Sequence, residues 1–131
     1  MKNTCLVYIA IAFLSLLVSN CSHPRSPVHG AWVVDSLLVD NQDYSLLLYS
    51  NMLFYEDDGT FLCTTSRLEG PGTDTGNYQF LSDKLTLTMI SDCKLYNDTY
   101  YVKVLERSES GIISSMILQS KRKKIYLQKL P

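Results

Sequence analysis

The chain has 131 residues, room for one ordinary domain and too few for two. Its 12 Lys+Arg against 13 Asp+Glu exclude a strongly basic nucleic-acid binder and an acidic disordered tail. Hydrophobic residues make up 46% of the chain, with 9 Tyr and 4 Phe, but many of them crowd into the first 20 positions and so do not all belong to one core.

Lys2 precedes an uncharged apolar run over residues 5–18. A positive start followed by a short apolar stretch is the pattern of a secretory signal. The run is shorter than the roughly 20 apolar residues that a bilayer span needs, which favours a cleaved signal over a transmembrane helix. Leu17-Val18-Ser19-Asn20-Cys21 resembles the lipobox of bacterial lipoproteins, in which the cysteine is lipidated and begins the mature chain. That resemblance implies a lipid anchor on Cys21, and several acyl chains would hold firmly because each buried CH2 contributes roughly 0.8 kcal/mol. Residues 21–29 contain Pro24 and Pro27 and no hydrophobic period, so they read as a spacer. His23 and His29, the chain's 2 histidines, fall on that spacer and are not read as metal ligands. The domain is expected over residues 30–131.

From Gly30 onward the apolar residues alternate with period two and turn residues recur at short intervals, the pattern of an all-β domain. The first strand is expected over residues 31–38. The stretch 38–50 is ambiguous: the apolar run 44–49 suits either a short helical lid or part of a strand. Asp57-Asp58-Gly59 between apolar runs at 52–55 and 61–64 predicts a hairpin, because glycine accepts the positive φ of a tight turn. A loop at 70–76 leads into a strand at 77–80. The strand at 84–90 places Leu85, Leu87 and Met89 on one face, and that at 100–105 does the same for Tyr100, Val102 and Val104. Two final strands, at 112–119 and 125–130, flank a basic turn at 120–124. The total is about eight strands at about 13 residues each, the spacing of an antiparallel meander closed as a barrel or folded as a sandwich.

Taken in order, Gly30-Ala31-Trp32, then Phe54 with Asp58-Gly59-Thr60-Phe61, Gly76-Asn77-Tyr78, Leu85-Thr86-Leu87, residues 100–105, Met116-Ile117-Leu118 and Tyr126-Leu127 resemble the lipocalin-like domains of secreted lipoproteins from Bacteroidetes-type bacteria. The resemblance covers most of residues 30–130 and implies a small antiparallel up-and-down β-barrel with Trp32 closing one end.

Within such a barrel, alternation nominates Trp32, Val34, Phe54, Phe61, Tyr78, Phe80, Leu87, Val102 and Val104 as inward residues that either line a ligand pocket or simply fill the core. Of the 4 cysteines, Cys5 leaves with the signal and Cys21 carries lipid. Whether Cys63 and Cys93 form a disulfide stays open at the level of sequence. Glu56, Asp57 and Asp58 are consecutive, so they diverge along a turn instead of converging as a catalytic pair, and they read as a solvated turn. No catalytic set, metal site or cofactor motif is evident. The expected function is a lipid-anchored, non-enzymatic envelope lipoprotein, on the periplasm-facing side of the outer membrane, holding a small apolar or amphipathic ligand. The alternative is a filled barrel that docks an envelope protein or glycan through loops such as 70–75 and the basic run Lys121, Arg122, Lys123 and Lys124.

Overall fold

The structure is a computed structural model and describes residues 25–64 and 72–131. The signal, Cys21 and the start of the spacer lie outside the described residues, as does part of the loop expected at 70–76. Among the described residues the strands are β1 (Gly30–Val39), β2 (Gln42–Asp43), β3 (Met52–Tyr55), β4 (Thr60–Thr64), β5 (Thr73–Leu81), β6 (Thr86–Ile90), β7 (Asp98–Arg107), β8 (Ile113–Gln119) and β9 (Lys123–Lys129). Apart from β2, a two-residue extension on the end of β1, each strand pairs antiparallel with the next, and β1 pairs with β9 to close an eight-stranded barrel. Closure leaves no full-length free edge, which suits a small all-β domain.

Strand β1 carries the closure because it pairs with both β3 and β9. Trp32 and Val34 point inward, and a bulge between Val34 and Ser36 then reverses the parity, so Asp35 is exposed and Leu37 becomes the next buried residue. Asp40 and Asn41 follow, both with positive φ (49° and 64°). Two such residues in succession form the type of tight turn whose twist matches its flanking strands, and Asp and Asn tolerate that conformation. The ambiguous run beyond resolves into one 3-10 turn, Ser45–Leu47, whose first amide is held by the Asp43 carboxylate at 2.8 Å. The β3–β4 hairpin turns at Gly59, with φ of 85°, and Asp58 Oδ1 accepts hydrogen bonds from the Thr60 amide and hydroxyl.

The barrel has two ends, set by the alternation of its strands. One holds the segment 25–29, the turns at 56–59, 82–85 and 108–112, and the C-terminus. The other holds residues 40–51, the loop 91–97 and the turn 120–122. Residues 25–29 were expected to belong to a loose spacer, but Val28 is fully buried and the Trp32 indole donates to its carbonyl at 2.8 Å. Asp57 holds the same segment through the Ser26 amide at 3.3 Å, His29 Nδ1 at 3.3 Å and Arg25 Nε at 3.9 Å. This strap therefore belongs to the domain.

The other end is closed by the loop 91–97. Asn97 ties it through Ser91, donating to its carbonyl and accepting from its amide. The Asp74 carboxylate accepts from the Cys93 amide, and Lys123 Nζ donates to the carbonyls of Lys94 and Asn97 at 3.1 and 2.7 Å. These bonds hold Tyr96 with no exposed surface.

Candidate functional site

The barrel interior is the first candidate. Trp32, Phe61, Leu87 and Val102 are fully buried, Val34 and Tyr78 are buried, and Phe80 and Val104 are half-buried against the same core. Phe54 is a correction: it is 39% exposed and stands on the outside of the wall opposite Leu62, while its neighbours Leu53 and Tyr55 point inward. The reason is register. Tyr55 pairs with Phe61 across the β3–β4 hairpin, and residues directly opposite in a sheet share a face, so an inward Phe61 requires an inward Tyr55.

Polar groups in this interior are mostly spent on the protein itself. The Tyr55 hydroxyl donates to Met89 Sδ, Tyr78 to the Glu56 carbonyl and Tyr100 to the Tyr96 carbonyl at 2.6 Å. Tyr55 also meets Tyr78 edge to face, with ring centroids 5.1 Å apart, an arrangement that aromatic quadrupoles favour. Among the described residues the buried Tyr96 hydroxyl has no hydrogen-bond partner. Burial raises the pKa of Tyr55, Tyr96 and Tyr100, so these hydroxyls stay neutral at any physiological pH. Side chains with no exposed surface, among them Trp32, Leu53, Phe61, Leu87, Tyr100, Met116 and Leu118, abut no water-sized void.

Cys63 and Cys93 are both buried. Both border the Tyr96 side chain, which fills this end of the barrel. Of the acidic run, Asp57 holds the strap and Asp58 caps its own turn, work that places the two carboxylates on different partners. The basic run is largely engaged as well. Arg122 forms a bidentate pair with Asp40, which lowers the Asp40 pKa, Lys123 holds the loop 91–97, and Lys124 lies 5.1 Å over the Tyr126 ring. Three of the four consecutive cations thus have contacts within the barrel mouth, and Lys121 is exposed.

Two hollows open at the strap end, one on each side of residues 25–27. The first, about 330 Å³, is lined by the strap, the β7–β8 turn and Lys129. The second, about 460 Å³, lies against Asp57, Gly59 and Tyr78 to Phe80. Sequence reasoning missed both, because they are formed by a segment that carries no period. Comparison of the chain with protein-family models, with curated proteins and with solved structures finds no match.

Proposed function

We propose that this chain is a lipid-anchored, non-enzymatic lipocalin-like module of the bacterial envelope that acts through the outside of a filled barrel. The observation that carries the choice is the packing of the interior, with Trp32 and Tyr96 plugging its two ends. It favours the second of the two functions expected from the sequence over a ligand held in a calyx. An eight-stranded barrel is at the size where side chains alone can fill it. The anchor rests on the signal-like run and Cys21, and the periplasm-facing side of the outer membrane follows as the proposed location.

A filled interior has a direct test. Val102→Phe adds volume at a fully buried position on β7 and is expected to cost about 1–3 kcal/mol in urea unfolding, as overpacking does. A neutral or stabilising Phe would mean that the barrel holds spare space and would return the calyx to first place. Anchoring is tested separately by Cys21→Ala, which is expected to move the protein from the membrane to the soluble fraction and to abolish incorporation of a fatty-acid label. Retained labelling would remove the lipidation site from the proposal.

A further inference from the structure

The two hollows beside the strap differ in charge. The larger contains Asp57 in its wall, whereas the smaller is lined by the cations Arg25, Arg107 and Lys129, with no carboxylate in its wall; Asp57 reaches it only from behind, 3.9 Å from Arg25 Nε and 3.3 Å from His29 Nδ1. The rest of its wall combines the apolar Pro27, Ile112 and Ile113 with Ser26, Ser110 and Gly111. Ile112 is 52% exposed at the rim while Ile113 is buried at the floor. The cations are held in place. Arg107 Nη1 donates to the Gly111 carbonyl at 2.8 Å, which orients the guanidinium from the hairpin side and leaves most of its five donors for another acceptor. Lys129 lies 5.5 Å over the Trp32 ring, and burial lowers its pKa, so an anion beside it would relieve an incompletely solvated ammonium.

We infer that this hollow binds the headgroup of an anionic amphiphile, with the charged group between Arg107, Arg25 and Lys129 and the first methylenes against Ile112 and Pro27. Its volume of about 330 Å³ is at the lower end for small-molecule sites and matches a headgroup better than a whole lipid. Placement supports the same class. Arg25 stands four positions after Cys21, a span of at most about 14 Å. If Cys21 carries lipid, the strap end faces the bilayer surface, where anionic headgroups are concentrated. That orientation rests on the anchoring proposal; the chemistry of the hollow does not.

Trp32, the single tryptophan, reports on the site through Lys129. The probe is dihexanoyl phosphatidylglycerol below its micelle concentration, titrated into the full chain carrying Cys21→Ala. Saturable change in Trp32 emission is expected, at least tenfold tighter than for dihexanoyl phosphatidylcholine. Arg107→Gln and Lys129→Gln should each weaken it about fivefold, the effect of one cation near an anionic surface. Lys121→Gln, at the opposite end, should leave it unchanged. Equal response to the phosphatidylcholine, no saturation, or equal weakening by Lys121→Gln would overturn the site, and a full response to inorganic phosphate at the same concentrations would replace the amphiphile by a bare anion. Thermal unfolding of each variant guards against loss by misfolding, and the double variant Arg25→Gln/Arg107→Gln, both exposed, replaces Lys129→Gln should that one unfold. Vesicles of phosphatidylcholine with and without phosphatidylglycerol form the second arm. Selective sedimentation with the anionic vesicles is expected for a membrane source of the ligand, while binding only to the soluble lipid would overturn a bilayer-facing role. Failure of Cys21→Ala to release the protein in cells would sink the anchor and leave this titration untouched.

Discussion

Trp32→Ala is expected to cost about 3–5 kcal/mol, the range for emptying a buried aromatic site. Domains of this kind have only about 5–15 kcal/mol in total, so the variant should be partly unfolded at 37 °C. Trp32 has no exposed surface, and its neighbours are the strands of a closed barrel, which cannot collapse inward to refill the space. It also supplies the hydrogen bond that fastens the strap at Val28. Trp32→Phe separates the two contributions. It keeps much of the volume, loses the indole N–H, and is expected to cost about 1–3 kcal/mol, with the Val28 carbonyl left buried and unpaired. Limited proteolysis should then cut before Val28 in the Phe variant faster than in the wild type while the barrel stays intact. Equal cutting rates would show that packing of Val28, and not the indole bond, holds the strap.

Gly76→Ala is the second large effect. Gly76 stands opposite Phe61 in the β4–β5 pair, and a Cβ on it would come within 2.4 Å of Phe61 Cε1 and 2.6 Å of the Ile90 carbonyl oxygen. Both are far inside van der Waals contact, and one is backbone, which cannot swing away. A single added methyl is therefore expected to cost about 3 kcal/mol, the upper end for overpacking, through displacement of the Phe61 ring and of β6. The cycle with Phe61→Leu tests the cause in urea unfolding. Shrinking the ring should recover part of the loss, because contacting positions couple, and the Ile90 carbonyl should keep the recovery incomplete. Additive costs would show that the ring is not the obstacle.

These two positions illustrate what a sequence displays and what it hides. Trp32 is the only tryptophan and heads the first alternating run, so its inward place is legible. Gly76 reads as a loop glycine, and only the pairing with Phe61 reveals that its missing side chain makes room for a ring. Phe54 against Tyr55 is a parity question, and the more hydrophobic residue is the wrong answer. The hairpin turn contains the information, since an inward Phe61 forces an inward Tyr55, but using it requires the register as well as the alternation. Tyr96 gives no signal at all, because it lies in a loop without a period, a loop tied within itself by Asn97 and held from distant strands by the Asp74 carboxylate, which accepts from Cys93, and by the Lys123 ammonium. The Asp40-Asn41 turn is the opposite case: two residues that favour positive φ mark it in the sequence itself.

The apolar run at the start was the reason to discount part of the 46% hydrophobic content, and the strap returns Val28 to the core. By itself the sequence determined the class of the fold, its antiparallel order and the places of most turns. Alternation and turn chemistry are local properties, and an up-and-down barrel is built almost wholly from contacts between neighbours in sequence. Only the tertiary structure decided that the interior is filled, that Lys123 and Arg122 are structural, and that Arg25, Arg107 and Lys129 surround one hollow. Those facts depend on side chains brought together by the closure of β1 on β9, across nearly the whole length of the domain, and nothing in the local pattern specifies which residues meet there.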